Sequence, residues 1–218
     1  MLRRGHHPRR EAGDTLIEVL FATTVFSLIV VSALALMNQG SAVSQRALET
    51  SLVRQQIDNQ AEALRFLHES YVTNYQPGFA TNANLKPSGP TGEFYKIVQA
   101  AKAANVRSAS SLDEPQCPST PPTGSFIINT RTGVAITNPA SFERASTYAQ
   151  LSFDTVHPTV LQKSSGLWIE AIRSTNSSDP LQSNAGYIDF YIRGCWDAPG
   201  LNRPMNMGTI VRLYEPRG

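Results

Sequence analysis

Three residues in the sequence combine a reactive or charged side chain with a position that could give it a chemical role. Glu18 is the only charged residue in the apolar run LIEVLFATTVFSLIVVSALALM. A carboxylate at membrane depth costs roughly 2.5 to 3.5 kcal/mol, so such a residue needs a partner of opposite charge or a route to water. Cys117 and Cys195 are the only cysteines, and in an exported chain they predict one disulfide, with two unpaired thiols as the alternative. The chemistry indicated is charge pairing and one covalent cross-link.

The rest of the sequence contains no pattern typical of a catalytic or metal-binding site. His68 and His157 are isolated, and Ser164-Ser165-Gly166 does not form the G-x-S-x-G turn of serine hydrolases. No C-x-x-C pair and no histidine cluster has the spacing of metal ligands. The sequence therefore predicts a protein that is not an enzyme and that holds no metal ion and no cofactor.

Charge is concentrated at the amino terminus. The chain has 19 Lys and Arg and 17 Asp and Glu, and four of the arginines and one glutamate lie in residues 1–13. Without that segment 15 basic and 16 acidic residues remain, which is a net charge of −1. A nucleic-acid-binding surface needs clustered Lys and Arg to displace the counterions of phosphate. The composition therefore gives no indication of a nucleic-acid partner.

The apolar run, residues 16–37, has the length of a membrane-spanning helix. At 1.5 Å per residue it would extend roughly 33 Å, which matches a bilayer core of about 30 Å. The four arginines in front of it predict that the amino terminus starts in the cytoplasm and that the rest of the chain is exported. We therefore expect a single-pass protein of the cytoplasmic membrane.

Helical periodicity continues beyond the apolar run. Residues 42–71 contain no Pro or Gly, and apolar residues recur at steps of three and four while charged residues occupy other faces. We expect one helix over residues 14–71, amphipathic in its second half, with a local bend or melt at Gly40, the helix breaker inside it. The predicted apolar stripe is Leu48, Leu52, Val53, Ile57, Ala61, Leu64, Leu67 and Tyr71, and the residues on other faces are Arg46, Glu49, Arg54, Asp58, Glu62, Arg65 and Glu69.

The second half of the chain changes from helical to strand periodicity. Residues 72–124 are rich in turn-forming residues and predict loops around one short helix near residues 93–105. Residues 125–218 predict an antiparallel β head with a hairpin around Thr130 to Gly133 and three further strands. In one of those strands the residues that share an apolar face are Ile188, Phe190 and Ile192. The predicted fold class is α+β, with the amphipathic helix covering the single buried side of the sheet.

The stretch Gly13-Asp14-Thr15-Leu16-Ile17-Glu18 resembles the processing signal of type IV prepilins and type II secretion pseudopilins. In that family a short basic leader ends in Gly, prepilin peptidase cuts after it, and the fifth mature residue is Glu. Gly13 and Glu18 match those two positions, and the leader, residues 1–13, is short and basic. The first mature residue of the family is usually Phe and is methylated on its amine. This chain has Asp14 there, which leaves its methylation open.

The resemblance implies how Glu18 is neutralised. Cleavage after Gly13 creates an α-ammonium on Asp14, and in pilin-like filaments the equivalent Glu pairs with the terminal amine of a neighbouring subunit. Two charges that are each costly in an apolar setting then offset one another. A carboxylate that reaches the cytoplasmic headgroups is the alternative, because Glu18 is only the third residue of the apolar run.

The resemblance also implies a function as a pilin-like structural subunit. A minor pilin or pseudopilin is expected, because the head is large for a bulk pilin. The expected partners are other pilin subunits, prepilin peptidase, the inner-membrane assembly platform and, before assembly, membrane lipid. The expected final location is an extracellular filament. A pseudopilin of a type II secretion or DNA-uptake system is the first alternative.

A secreted or tethered binding protein with a Sec signal is the second alternative. Ala33-Leu34-Ala35 contains the A-x-A pattern that signal peptidase prefers, and a cut after Ala35 would release a protein that begins at Leu36. Against this, the apolar run is longer than the usual signal-peptide core of about 7 to 15 residues, and the helical pattern continues past it. The mature amino terminus separates the two hypotheses.

Overall fold

A computed structural model describes the chain over residues 14–76, 87–104, 108–111, 116–137, 141–173 and 186–216. The chain divides into two compact units, Met1–Gln45 and Arg46–Gly218. The first helix, α1 (Asp14–Thr73), begins in the first unit and ends in the second. The predicted leader, including Gly13, lies outside the described residues.

The predicted long helix is present. α1 has 60 residues and stays α-helical through Gly40, so the melt predicted at that position does not occur. A glycine inside a helix costs only about 1 kcal/mol relative to alanine. The helix continues for many residues before and after Gly40, and its hydrogen bonds outweigh that cost. Extending an existing helix is favourable, because only the first turn of a helix is expensive to form.

The remaining elements form the α+β head that the sequence predicts. They are α2 (Gly89–Ala104), β1 (Phe126–Asn129), β2 (Val134–Thr137), β3 (Phe142–Glu143), β4 (Gln150–Phe153), β5 (Leu161–Ser165), β6 (Leu167–Arg173), β7 (Tyr187–Trp196) and β8 (Met205–Tyr214). Five strands form an antiparallel sheet in the order β2-β1-β6-β7-β8. The hairpin β1-β2 and the strands β6, β7 and β8 are those that the period of two predicts.

The second half of α1 and the helix α2 supply side chains to one core with this sheet. The predicted face of β7 is buried, because successive side chains of a strand point to opposite sides. The buried apolar residues of α1 are Val53, Ile57, Ala61, Leu64, Leu67 and Tyr71. Burial raises the pKa of the Tyr71 phenol to about 12, because the core disfavours its charged form.

α1 lies close to β7 at Gly194. A Cβ atom at this position would lie 2.9 Å from Cγ1 of Val53 and 3.2 Å from Cβ of Ala149. Any larger residue would push the helix away from the strand. A glycine inside a strand often marks such a close approach of another element.

The buried stripe of α1 differs from the prediction at its first turn. Leu48, predicted on the stripe, is 63% exposed, whereas Glu49, predicted on a charged face, is 5% exposed. The carboxylate of Glu49 accepts a hydrogen bond of 3.2 Å from Nε1 of Trp196. One turn earlier, Nε of Arg46 donates to the carbonyl of Pro199 at 2.9 Å. Periodicity alone misplaces Glu49 because its partner lies 147 residues away in the chain.

A second sheet, which the sequence does not predict, has the order β3-β5-β4. β4 pairs with β5 in antiparallel orientation, but β3 pairs with β5 in parallel, so the head is not antiparallel throughout. β3 has two residues, which is too short for a period of two to be visible. Hydrogen bonds from Lys163 and from Ser165 hold the pKa of the Glu143 carboxyl below its usual value and join these strands through their side chains.

Gln60 closes a gap in the main sheet. β1 pairs with β6 at one position, Phe126 with Ile169, and separates from it beyond that pair. The side chain of Gln60 is fully buried on α1. Its Nε2 donates to the carbonyl of Ile128 at 2.8 Å, and its Oε1 accepts from the N–H of Ile128 at 3.0 Å. The amide therefore takes the place of a neighbouring strand, because it offers one donor and one acceptor to the exposed backbone of β1.

We expect Gln60→Leu to lower the free energy of unfolding by about 2 to 4 kcal/mol, because it leaves the buried N–H and C=O of Ile128 without partners. Gln55→Leu changes an exposed residue of the same helix and is the control, with an expected change within about 0.5 kcal/mol. Chemical denaturation of both variants and the wild type in the same detergent measures the difference. Equal stabilities of the two variants would contradict the role of Gln60.

Candidate functional site

The first unit exposes a large apolar surface along α1. The helix contains an 18-residue stretch with a mean hydropathy of 2.5, none of which is buried, and it is long and apolar enough to cross a membrane. The exposed large apolar residues of this part of α1 are Leu16, Ile17, Val19, Leu20, Phe21, Val25, Phe26, Leu28, Ile29, Val30, Val31, Leu34, Leu36, Met37 and Val43. Such a surface needs a lipid or protein environment, because monomeric soluble proteins rarely leave so much contiguous apolar area in water.

The polar side chains of this segment are compatible with an apolar environment. Four hydroxyl groups bond to backbone carbonyls three or four residues earlier in the same helix, at 2.7 to 3.0 Å. They belong to Thr23, Thr24, Ser27 and Ser32. Hydroxyls that bond to their own helix leave no donor without a partner in lipid. The segment can therefore be surrounded by apolar groups without an added desolvation cost at these positions.

Glu18 lies in the second turn of α1, on the exposed apolar segment. Asp14, the predicted first mature residue, is the first residue of the helix, so the two positions are one turn apart and on the same side. Within the described residues Glu18 has no hydrogen bond and no ion pair. The amino-terminal end of a helix carries a partial positive charge, which favours a carboxylate here. That contribution is smaller than the cost of the carboxylate at membrane depth, so Glu18 still needs a charged partner or water.

The second predicted site is formed in the head. Cys117 and Cys195 are joined by a disulfide, as the sequence predicts, with their Cα atoms 5.6 Å apart. The bond packs against Trp168 in a small second apolar cluster, and the ring of Phe142 meets the Trp168 ring edge-on at 6.1 Å. The cluster lies on the side of the sheet opposite α1, since Cys195 and the α1-facing Gly194 are adjacent on β7. The prediction of a sheet covered on one side is therefore wrong at this end.

A buried charged cluster, which the sequence analysis missed, holds residues 108–111 against the same side of the sheet. Glu170 on β6 is 4% exposed and Arg193 on β7 is 9% exposed. The two Glu170 oxygens accept hydrogen bonds of 2.7 Å from the N–H and the hydroxyl of Ser110, and one also accepts from Nε1 of Trp168 at 2.8 Å. Arg193 donates to the carbonyl of Ser110 and lies 3.7 Å from the Glu170 carboxylate. Each charge therefore has partners that offset its desolvation.

One signal in the sequence could have identified this cluster. The strand LWIEAIR contains an acidic residue in an apolar setting, and the next strand, YIDFYIRGCW, carries an arginine two residues before the cysteine. The two residues become neighbours because Trp168 pairs with Arg193 in the register of β6 and β7. In the sequence, Glu170 and Arg193 can each be recognised as a charged residue in an apolar strand. Their contact cannot be predicted, because it depends on the register of the two strands.

The described part of the head does not bring together a catalytic or metal-binding set. Among the described residues no group of three His, Cys, Asp or Glu side chains could hold a metal ion. A cleft of about 520 Å³ opens beside the disulfide. Its lining consists of Ser110, Ser111, Gln116, Cys117, Pro118, Ser119, Thr120, Pro121, Pro122, Thr123, Trp168 and Cys195. These side chains supply hydroxyl, amide and apolar surface but no general acid or base.

No protein-family model, no curated protein and no solved structure matches this chain. The long apolar helix followed by an antiparallel sheet is consistent with a pilin-like architecture. The resemblance of Gly13 to Glu18 to a prepilin processing signal stays a prediction from the sequence. A function for the chain therefore has to be argued from the apolar segment of α1 and from the head.

We expect the disulfide to stabilise the head. It closes a loop with a sequence separation of 78, and the loop-entropy relation gives a stabilisation of about 4 to 5 kcal/mol. Cys117→Ser should therefore make the head more sensitive to protease, whereas Ser119→Ala in the same loop should not. Alkylation of the native protein without reductant tests the bond itself, and labelling of both cysteines would disprove it.

Proposed function

We propose that the protein is a pilin-like structural subunit, a minor pilin or pseudopilin of a type IV pilus or a related filament. In this proposal prepilin peptidase removes residues 1–13, residues 16–37 anchor the chain in the cytoplasmic membrane with the amino terminus inside, and the head lies outside. The assembly platform of the inner membrane then transfers the subunit into an extracellular filament, where α1 packs against other pilin subunits.

A change of environment along a single helix is the observation that carries the proposal. The apolar stripe from Val53 to Tyr71, with Ile57, Ala61, Leu64 and Leu67, is buried by the head, although Phe66 on another side of the helix is exposed, whereas the large apolar side chains from Leu16 to Val43 are exposed. Lipid can cover the exposed part before assembly, and the same segment of neighbouring subunits can cover it afterwards. Both environments are apolar, so the transfer between them does not require the segment to enter water.

Glu18 favours association between chains over a simple lipid anchor. Surrounding lipid tails offer no positive charge to a carboxylate. The α-ammonium that cleavage would create on Asp14 does offer one, and in the filaments that this chain resembles that amine belongs to the neighbouring subunit. A carboxylate that must be paired restricts the positions at which two such helices can associate, which gives the contact a register as well as an apolar driving force.

The competing hypothesis, a secreted protein with a Sec signal, predicts a different cleavage position in α1. Cleavage after Ala35 would cut inside the helix and remove most of its exposed apolar residues. The remaining chain would carry the head and only a few exposed apolar residues before it. The two hypotheses therefore differ in the mature amino terminus and in whether the product stays in the membrane.

We expect the mature protein to begin at Asp14. Gly13→Val should block processing, because the branched side chain of valine would occupy a position at which the leader has no side chain. Gly5→Val makes the same change inside the leader and is the control, with normal processing expected. Mass spectrometry of the amino terminus, after co-expression with a prepilin peptidase, measures the outcome. A terminus at Leu36, or normal processing of Gly13→Val, would disprove the proposal.

We expect Glu18→Gln to be inserted and cleaved normally but to enter filaments at least about tenfold less well. The reason is that an unpaired α-ammonium at membrane depth costs roughly 2.5 to 3.5 kcal/mol. Glu69→Gln makes the same change at an exposed position of α1 in the head and should leave incorporation unchanged. The amounts of each variant in sheared filaments and in membranes are compared by immunoblot. Equal incorporation of the two variants would show that Glu18 only reaches the headgroups.

A further inference from the structure

The two cysteines of the disulfide are held in the head in different ways. Cys195 lies on β7, and its N–H donates to the carbonyl of Gly166 at 2.8 Å, so the sheet fixes its position. Cys117 lies outside the helices and strands, 13 residues after the end of α2 and nine residues before the start of β1. The formation of the bond therefore depends on what brings Cys117 to a position that the sheet already fixes for Cys195.

The chain segment before Cys117 is bound to the sheet at Ser110. The N–H and the hydroxyl of Ser110 each donate to an oxygen of Glu170 at 2.7 Å, and its carbonyl accepts from Arg193. Nη1 of Arg193 also donates to the Ser110 hydroxyl oxygen at 3.3 Å. Glu170 and Arg193 are buried, so water competes little for these bonds. Two buried charges therefore hold the backbone and the side chain of one residue.

This docking point lies on the same side of the sheet as the Cys195 side chain. Arg193 and Cys195 are two residues apart on β7, so their side chains point to the same side and their Cα atoms are about 7 Å apart. Trp168 connects the two places, because its Nε1 donates to Glu170 at 2.8 Å and its ring packs against the disulfide. The segment that carries Cys117 is therefore bound next to the thiol with which it has to react.

Docking at Ser110 also shortens the free chain that leads to Cys117. Measured from the end of α2 that chain has 13 residues, whereas measured from Ser110 it has seven. By the entropy of loop closure, the shorter chain raises the effective concentration of Cys117 at Cys195 by about 2.5-fold. The fixed direction of the docked segment adds to this gain, because a disulfide forms only within a narrow range of Cα and Cβ positions.

We propose that Glu170 and Arg193 are positioning residues for disulfide formation, which bind Ser110 before the bond exists and hold Cys117 at Cys195. The reaction is exchange with a disulfide-bonded oxidant. The thiolate of one cysteine attacks the oxidant, a mixed disulfide forms, and one thiolate of the oxidant leaves. The other cysteine thiolate then attacks the mixed disulfide and releases the second thiolate. The two cysteine thiols lose two electrons and two protons, and the oxidant takes them up as it becomes two thiols.

The positioning role gives a reason for a charged pair at this place in the sheet. A buried ion pair is often no more stable than apolar residues of similar volume. Apolar residues could not bind Ser110, however, because its N–H and hydroxyl need an acceptor and its carbonyl needs a donor. Nη1 of Arg144 donates to Oε1 of Gln116 at 3.2 Å in the same segment, but this bond is exposed, so water competes with it. The inference concerns the head alone, and the failure of the proposed function would leave it unchanged.

The full chain in detergent micelles, equilibrated with reduced and oxidised glutathione, gives the effective concentration of the two thiols. Alkylation and mass spectrometry measure the oxidised fraction. Ser110→Pro removes the N–H and the hydroxyl but keeps Glu170 and Arg193, and the effective concentration should fall at least about threefold. Ser108→Pro makes the same change at an exposed position and should alter it by less than about twofold. Ser110→Thr keeps both donors and should keep the wild-type value.

This measurement separates positioning from a purely structural role. The effective concentration compares the reduced and oxidised forms of the folded head, so a loss of stability that both forms share does not change it. A second measurement decides the question if Ser110→Pro does not fold. In Cys117→Ser the disulfide is absent, and docking that precedes the bond should still protect the N–H of Ser110. We expect its hydrogen exchange to be at least about tenfold slower than in an unstructured chain, because it donates to a buried charge.

Three results would overturn the inference. The first is an effective concentration in Ser110→Pro equal to that of the wild type. The second is an equal fall in Ser108→Pro, which would make the effect one of proline in this segment. The third is exchange of the Ser110 N–H in Cys117→Ser at the rate of an unstructured chain, which would show that the disulfide holds the segment and that Glu170 and Arg193 do not prepare it.

Discussion

The constraint on which the structure depends is that the apolar surface of α1 must be covered along its whole length. The β head covers the apolar stripe from Val53 to Tyr71 within the same chain, and burial of each large apolar side chain of the stripe contributes roughly 1.5 to 3 kcal/mol. From Leu16 to Val43 the described residues of the chain provide no cover. The head therefore folds around its half of the helix, and the other half depends on lipid or on other chains. The proposed membrane and filament states are two ways to satisfy that requirement.

Polar contacts fix the turn of α1 at which the head begins to cover the helix. Arg46 and Glu49 bond to Pro199 and to Trp196, so the first covered turn of α1 is held to the end of β7 and to the segment after it. Further along the helix, Gln60 completes the backbone bonding of β1 where no strand does so. Buried polar groups are costly unless they are bonded, and each of these groups has a partner. They fix the position of the helix on the sheet, which apolar contacts alone would specify less sharply.

The side of the sheet that faces away from α1 has two different ends. At one end the disulfide and the contacts of Glu170 and Arg193 with Ser110 hold loop segments over the sheet. At the other end β8 is the edge strand of the main sheet. In the proposed exported state the head benefits from the covalent end, because no reducing pool maintains thiols outside the cell.

The sequence by itself determined the elements whose signals are local. A long apolar run followed by a continuous helical period predicted α1, alternating residues predicted β1, β2, β6, β7 and β8, and two cysteines predicted the disulfide. These features depend on residues a few positions apart or, for the disulfide, on the absence of any other partner. β3 has two residues and β5, LQKSS, has one apolar residue, so neither shows an alternating pattern, and the sheet that they form with β4 was missed.

Only the tertiary structure decided what depends on residues far apart in the chain. The burial of Glu49 is set by Trp196, the role of Gln60 by the separation of β1 from β6, and the pairing of Glu170 with Arg193 by strand register. A helical pattern shows which residues share a side, but not where the covering sheet ends or which backbone groups it leaves unbonded. Those are properties of contacts between elements. The resemblance of Gly13 to Glu18 to a prepilin processing signal is the opposite case, because the spacing that carries it is local and the sequence alone contains it.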